Sequence, residues 1–266
     1  MASSSPISPA FPESFGFRSG ERGTHTSRTL MLTELQALLA ALPADATRDD
    51  YEQAITEDNV LGKKTASTRR LTVKRIRELY ALDPTMPLFR LLRHLWEFDA
   101  AGRPLLACLC ANARDPLLRI TAPAVLDVQE GEPYSKEQTI ALLAEGTGDR
   151  FNPATVDKIA RNTSSSWTQS GHLKGRVRKV RTRAKATPAA TAYALVLGFM
   201  TGARGEMLYT TYWAQLLDAR SSQIDTLAFE ASRRGWLDYR RVGSVVEVTF
   251  PDLLTSSEME MIREQG

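Results

Sequence analysis

The chain has few of the side chains from which enzyme and metal sites are built. It holds two cysteines and three histidines in 266 residues. Cys108 and Cys110 are too few for a disulfide framework, and a Cys-x-Cys pair alone is too little for a zinc site. Because they fall within an apolar helical pattern, we expect two buried side chains in a helix of a cytoplasmic protein.

Motifs of catalysis and cofactor binding are also missing from the sequence. His25, His94 and His172 lie far apart, and none has the Cys, His or Asp spacing of a metal site. There is no phosphate-binding Gly-x-x-x-x-Gly-Lys-Ser/Thr, no Gly-x-Ser-x-Gly elbow and no paired-carboxylate motif. The sequence therefore predicts a protein that is not an enzyme and that carries no cofactor and no metal.

No long hydrophobic run is present. The longest, Ala189 to Met200, is interrupted by Thr191 and Gly198 and is shorter than the ~20 residues that cross a bilayer. The first residues have neither a basic region nor an apolar region, so no signal peptide is predicted. We expect no membrane association and a cytoplasmic location. The Ser/Pro-rich residues 1–29 predict a disordered arm.

What the sequence does have is a focused positive charge. Of its 34 basic residues, eight lie between Arg161 and Lys185, a window without any acidic residue. The other 26 are outnumbered by the 31 acidic residues, although the whole chain is +3. Charge concentrated in this way is typical of a surface that binds a polyanion, with nucleic acid as the first candidate.

The pattern of apolar residues predicts a mainly α fold, in which an N-terminal helical bundle precedes two winged-helix-like modules with short β-hairpins. The bundle spans residues 30–128 and ends at a polar break, residues 129–134. Its helices are predicted at 30–42, from Arg48 to near Gly62, at 67–82, 87–98, 104–113 and 116–128.

Residues 135–187 form the first predicted module. Ser135 and Asn152 are N-cap residues, and Pro153 follows Asn152 at the first helical position. We expect a helix at 153–161, a turn at Asn162-Thr163 and a second short helix at 164–170. Alternating residues from His172 onward then predict a basic hairpin. This order is that of a winged helix-turn-helix.

Residues 188–255 repeat the layout as a second predicted module, followed by an acidic tail at 256–266. Ser222 is expected to cap its third helix, and Val246, Val248 and Phe250 to form the inner face of its hairpin. From residue 186 to the end there are seven basic and ten acidic residues. This balance favours a protein-contact or structural role over phosphate binding.

The first module supplies the main candidate site. In a helix-turn-helix the second helix enters the major groove, where small and polar side chains let it approach the bases. Trp167 is expected to anchor this helix in the core, and the wing to lie along phosphates. The predicted helix contacts are Ser164, Ser165, Ser166, Thr168 and Gln169, and the predicted wing contacts are Lys174, Arg176, Arg178, Lys179, Arg181, Arg183 and Lys185. A solvated basic loop with no specific partner is the alternative.

A second basic cluster surrounds the start of the helix predicted at 67–82. Hydroxyl groups, helix N-terminal amides and basic side chains converge there, as in many phosphate sites. An ordinary basic surface helix explains the same residues equally well. The candidates are Lys63, Lys64, Arg69, Arg70, Lys74 and Arg77.

Two stretches carry a resemblance to a known family. Residues 58–70 read Asp-Asn-Val-Leu-Gly-Lys-Lys-Thr-Ala-Ser-Thr-Arg-Arg, and residues 231–248 run from Ala-Ser-Arg-Arg-Gly-Trp to Val-Val-Glu-Val. Both resemble segments of BrxA, the small helical component of BREX phage-defence systems. The resemblance covers residues 30–255 and implies a helical DNA-binding accessory protein that acts beside a DNA methyltransferase and other defence-system subunits. A relative from another defence operon is the alternative, because the arm and the length exceed those of a typical member.

The sequence thus predicts a non-enzymatic protein that binds double-stranded DNA within a phage-defence system. Three alternatives remain open: an interaction or scaffold subunit whose basic patch docks an acidic protein face, a winged-helix transcription regulator, and an RNA-binding protein. Stacking platforms for single-stranded RNA are not evident, because Trp167 is the only aromatic residue in the basic window.

Overall fold

The computed structural model describes residues 13–20, 23–243 and 245–264. This part of the chain is mainly helical, as predicted. The helices are α1 Leu32–Ala41, α2 Arg48–Thr56, α3 Ala66–Tyr80, α4 Pro87–Phe98, α5 Arg103–Arg114, α6 Pro116–Ile120, α7 Pro123–Leu126, α8 Lys136–Thr147, α9 Pro153–Gln169, α10 Pro188–Met200, α11 Tyr212–Gln215, α12 Ser221–Ser232 and α13 Ser256–Glu264.

Four short 3₁₀ helices (Glu13–Phe15, Thr24–Thr26, Gly148–Arg150 and Gly205–Thr210) and two antiparallel hairpins complete the regular structure of the described residues. Strands β1 (Leu173–Lys174) and β2 (Val180–Arg181) pair with Leu173 opposite Arg181. Strands β3 (Asp238–Val242) and β4 (Val245–Thr249) pair with Arg240 opposite Glu247. Both hairpins lie where the sequence predicts them.

Local signals account for most helix ends. The Thr47 side chain accepts a hydrogen bond from the backbone of Asp50 and completes a capping box, as expected for the start of α2. Asn152 caps α9 in the same way, with Pro153 at its first position. The helix predicted at 116–128 is instead divided into α6 and α7.

A single apolar core joins the N-terminal helices to the C-terminal part of the chain. Every residue of α10 from Ala189 to Met200 is buried. A helix that is apolar on all sides lies in a protein interior, and α10 packs against α4, α5, α11 and α12. The apolar core therefore continues across the polar break at 129–134. A smaller apolar cluster lies between α6, α8 and α9 and contains Leu117, Leu143 and Ile159.

The prediction of a disordered arm at 1–29 is wrong for the residues of it that the structure describes. Phe15, Phe17 and His25 are buried, and Phe15 and Phe17 belong to the main core. Burial of such large apolar groups releases enough free energy to order the backbone that carries them. Residues 1–12, 21 and 22 of the predicted arm lie outside the described residues.

The C-terminal hairpin buries Val246, Val248 and Phe250 as predicted, and α12 packs against α10. The predicted Ser222 cap is wrong, because Arg220 occupies the N-cap position of α12. The acidic tail forms α13, which is held on α4 by two hydrogen bonds between Arg90 and the Glu258 carboxylate (2.8 and 2.7 Å). Residues 265 and 266 of the predicted tail are not among those described.

Candidate nucleic-acid interface

The helix that precedes the basic hairpin is continuous. Helix α9 runs unbroken over 17 residues, so the turn predicted at Asn162-Thr163 is wrong. Hydroxyl groups in this part of α9 donate hydrogen bonds to carbonyls of the preceding helical turn. Thr163 donates to the Ile159 carbonyl, and Thr168 donates to the Ser164 carbonyl. Side-chain bonds of this kind are compatible with a continuous helix.

The serines that were expected to face the bases are mostly buried in the protein. Ser164 is 5% exposed and Ser166 is 1% exposed. Ser166 Oγ accepts a hydrogen bond from the Leu30 backbone (2.8 Å) and lies 2.8 Å from His25 Nε2. Gln169 is engaged by Thr29 and Leu32, and Trp167 is fully buried with its Nε1 donating to Thr121, which confirms its role as an anchor. Ser164, Ser166 and Gln169 are therefore structural residues in this position.

A different face of α9 reaches solvent. Lys158 and Arg161 are exposed, and Ser165 and Thr168 are half-buried. Their spacing of three, four and three residues places them on one stripe along the helix. Asp157 pairs with both Arg161 (3.1 Å) and Lys136. Asp157, Arg161 and Lys136 together therefore carry one net positive charge. Lys158 and Arg161 were not among the predicted contacts, because they share a face with Ser165 and Thr168 only when α9 is one continuous helix.

The stripe on α9 leads directly to the hairpin. Lys179 Nζ donates to Thr168 Oγ1 at 2.8 Å and to the Gly175 carbonyl at 3.4 Å. Burial lowers the pKa of Lys179 from its ordinary value. Lys179 therefore joins the hairpin to the helix, which is a structural role in addition to its predicted one.

Unpaired cations lie on the loop at 175–179 and at the end of β1. Lys174, Arg176 and Arg178 are exposed, and their side chains have no hydrogen bond or ion pair within the described chain. Val177 stands between the two arginines with 92% of its surface exposed. These three basic residues are where the prediction places them. Like charges so close together repel one another unless an anion lies between them.

Arg181 was predicted to contact phosphate, and the structure contradicts this. It is 4% exposed and forms two hydrogen bonds of 2.7 Å with the Asp218 carboxylate. A buried bidentate pair of this kind holds the hairpin against the loop after α11. Arg183 is exposed but pairs with Glu130 at 2.9 Å, and Lys185 is exposed.

A third segment extends the small sheet. Pro133 forms an antiparallel bridge with Val180, the Tyr134 backbone donates to the Lys179 carbonyl, and the Arg181 backbone donates to the Glu132 carbonyl. The chain that enters α8 is thus bonded to the strand that follows α9. Helices α8 and α9, the turn at 148–152 and the hairpin consequently form one connected unit.

Two residues of the second basic cluster form ion pairs within the protein. Lys63 pairs with Glu34 at 3.0 Å, and Arg77 pairs with Glu52 at 2.7 Å. Thr65 caps α3, as its position before the basic helix suggests. Lys64, Arg70 and Lys74 are exposed and Arg69 is half-buried, and none of these four has an ion pair in the residues that the structure describes.

The turn at 24–26 lies between the two basic regions. Thr24 Oγ1 donates to Glu78 of α3 at 2.8 Å, and the Asn162 side chain of α9 donates to the His25 carbonyl at 2.8 Å. The structure therefore brings α3 and α9 to the two sides of one short segment.

Beneath this turn, His25, Asp115 and Ser166 are arranged like a hydrolase triad. His25 Nδ1 lies 2.8 Å from Asp115 Oδ2, and its Nε2 lies 2.8 Å from Ser166 Oγ. Burial raises the pKa of Asp115, but the charge and hydrogen bonds of His25 outweigh this and hold it below its ordinary value. All three side chains are at most 2% exposed. Since no substrate reaches them, they act as a buried clamp for the N-terminal segment.

The described residues contain no cluster of three or more His, Cys, Asp or Glu side chains that could hold a metal ion. Burial raises the pKa of both Cys108 and Cys110 to about 12, so neither thiol is a ready nucleophile. Within the same residues, no helix has the length and apolar character needed to cross a bilayer.

Comparison with known proteins does not place the chain in a family. No family model matches it, and no curated protein matches it.

Proposed function

We propose that residues 131–181 form a winged helix-turn-helix unit that binds double-stranded DNA. Helices α8 and α9 are its two helices, and the 175–179 loop is its wing. The bridge between Pro133 and Val180 supports this assignment, because it ties the chain before α8 to the hairpin after α9 and closes one unit. In this proposal the first helix of the motif is α8, whereas the sequence predicted both of its helices within residues 153–170.

The main support for the proposal is the set of unpaired cations at the end of β1 and on the 175–179 loop. Lys174, Arg176 and Arg178 repel one another in the free protein, and a row of phosphates relieves that repulsion while releasing counterions. The loop is attached to α9 by Lys179 and to the core by the Arg181–Asp218 pair. Its charges are therefore presented in a preorganised arrangement, which reduces the entropy lost on binding.

Helix α9 is the proposed recognition helix. Its first residues, Pro153 and Ala154, are exposed and small, which permits close approach to a groove. Lys158, Arg161 and Ser165 follow on the stripe that ends at the wing. Positive charges along the stripe contact phosphates, and Ser165 is the polar group nearest their centre.

The wider role rests on the resemblance to BrxA. We propose a non-enzymatic cytoplasmic accessory protein of a BREX-like phage-defence system, acting with a DNA methyltransferase and other defence subunits.

The wing is tested by replacing Lys174, Arg176 and Arg178 together with Ala and measuring duplex affinity by mobility shift between about 50 mM and about 200 mM salt. Each phosphate contact contributes roughly −0.9 to the slope of log affinity against log salt. We expect the triple variant to bind more weakly and its slope to be shallower by about 2 to 3.

The matched control is the triple Ala variant of Arg220, Arg233 and Arg240, which are exposed residues of the C-terminal part without side-chain partners in the described chain. It removes the same charge from another surface and should leave the slope close to that of the wild type. Equal losses in both triples would contradict a specific wing contact. Arg181 is left unchanged because its exchange would break a buried ion pair.

A scaffold role is the second candidate, and one observation favours it. Val242 and Val245, which pair across the β3–β4 hairpin of the acidic C-terminal part, are 79% and 68% exposed. Apolar side chains grouped at a surface often mark a protein contact. Co-purification after nuclease treatment separates the two functions, since a scaffold retains its protein partner and a DNA-bridged complex falls apart. One strong operator instead of broad binding would indicate a transcription regulator.

A further inference from the structure

An open cleft of about 530 Å³ lies between α2, α3 and the end of α5. Its volume is within the range of small-molecule sites. Six basic side chains and three acidic ones line it. The basic ones are Arg18, Arg48, Arg70, Lys74, Arg77 and Arg114.

The three carboxylates of the cleft are already engaged. Arg77 pairs with Glu52 at 2.7 Å, and Arg48 lies 4.0 Å from Asp83. The third carboxylate, Glu78, is 2.8 Å from Arg75, which is not among the lining residues. Four lining cations are left without an ion pair in the described part of the chain: Arg18, Arg70, Lys74 and Arg114.

Arg114 is the fixed cation of this group. Its Nε donates to the Glu78 carbonyl at 3.0 Å, its Nη2 to the Arg77 carbonyl at 3.2 Å and its Nη1 to the Gly16 carbonyl. The first two of these contacts are with carbonyls of the last turn of α3 and complement the negative end of the helix dipole. Burial lowers the pKa of Arg114 to about 10, so it remains charged at neutral pH. Its guanidinium is held in place by neutral acceptors alone.

We propose that this cleft binds the phosphate groups of a nucleotide-sized ligand, with Arg70, Lys74 and Arg18 as direct contacts and Arg114 as a fixed charge behind them. Arg70 and Lys74 are exposed, lie four residues apart on α3 and so share one face. Arginine and lysine bind phosphate oxygens through charge-assisted hydrogen bonds. The phosphate belongs either to a free nucleotide or to a DNA strand that passes over α3. The site is independent of the wing.

The test measures binding of pyrophosphate, ATP and a short duplex by isothermal titration calorimetry. The proteins are the wild type, the Arg70→Gln/Lys74→Gln variant and an Arg233→Gln/Arg240→Gln control whose residues are exposed outside the cleft. We expect the cleft variant to lose roughly tenfold or more in affinity for at least one ligand, since two charge-assisted contacts are removed. The control should bind as the wild type does.

Loss confined to pyrophosphate and ATP identifies a free phosphate ligand, and loss confined to the duplex identifies the DNA backbone. The proposal is overturned if the cleft variant binds all three ligands as the control does, or if the wild type binds none of them. Repeating the pyrophosphate titration on the Lys174/Arg176/Arg178 triple Ala variant keeps the two proposals apart. Unchanged pyrophosphate binding there means that a failure of the wing leaves the cleft proposal intact.

Discussion

His172 is enclosed at the base of the β1–β2 hairpin. Its Nδ1 lies 2.8 Å from Ser170 Oγ, and its Nε2 lies 3.0 Å from the Leu216 carbonyl. Burial lowers its pKa to about 4, and the nearby Asp218 offsets this only in part. At the scale of single residues, therefore, some polar side chains of the basic segment are buried, and their hydrogen bonds stabilise the fold. Arg181 is the second example, because it is buried and forms an ion pair with Asp218.

His172 makes stability depend on pH. Its folded pKa of about 4 is below the ordinary value of 6.5, so the unfolded chain takes up a proton first as the pH falls. The stabilisation is complete above about pH 6.5 and is lost as the pH falls toward about 4. We expect the free energy of unfolding to drop by about 2 kcal/mol between about pH 7 and about pH 5 through this group. Urea unfolding at both pH values measures it.

The His172→Gln variant should lose that part of the pH dependence, whatever its stability at neutral pH. His94, which is exposed on α4, supplies the control. If His172→Gln and His94→Gln show the same change of unfolding free energy between the two pH values, burial of His172 is not the cause.

At the scale of elements, the shape of the 175–179 loop, the proposed wing, depends on one glycine. Gly175 has a φ of +102°, and a Cβ at this position would lie 2.2 Å from the Arg178 carbonyl oxygen. No side chain fits there unless the loop opens. The tight loop is what keeps Arg176 and Arg178 at the tip of the hairpin, beside the end of α9.

Gly175→Ala should therefore weaken duplex binding although it removes no charge. The expected cost to folding is about 1 to 2 kcal/mol of backbone strain, and the loss of binding comes from the displaced arginines. Gly202→Ala is the matched control, because Gly202 has a φ of +96° and open space around its Cα. Urea unfolding of both variants measures the cost of backbone strain, and mobility shift measures the loss of duplex binding that follows from the displaced arginines. Duplex affinity that is unaltered in Gly175→Ala would argue against a rigid wing.

At the scale of the whole molecule, the N-terminal segment closes the structure. Phe15 and Phe17 enter the main core, and His25 joins Asp115 of the α5–α6 junction to Ser166 of α9. The aromatic ring of Phe17 lies 5.8 Å from that of Trp213. This segment holds together the α5–α6 junction, α9 and α11, which are distant from one another in sequence.

Deletion of residues 1–29 should consequently destabilise the protein. It removes two buried phenylalanines and leaves Asp115 buried without its partner, each a cost of several kcal/mol. We expect the melting temperature in a calorimetric scan to fall by roughly 10 °C or more. His25→Ala in the full chain should give a smaller fall in the same direction, and His94→Ala almost none. A deletion variant that melts like the wild type would restore the disordered-arm interpretation.

The sequence alone was enough for features that depend on neighbours along the chain. Caps at Thr47 and Asn152, the bounds of α4 and both hairpins follow from capping groups, proline positions and period-two alternation, which act over a few residues. The low content of cysteine and histidine likewise limited the chemistry that the chain could support.

Only the tertiary structure decided which polar side chains are free. Arg181 and Arg178 look alike in sequence, yet one is paired with Asp218, 37 residues away, and the other faces solvent. Ser166 and Ser165 are adjacent, but only Ser166 meets His25, 141 residues away. Burial depends on distant segments that pack together, and local patterns carry no record of those partners. For the same reason the basic window identified the exposed loop at 175–179, whereas the contacts that hold this loop and the exposed face of α9 became visible only in the packed structure.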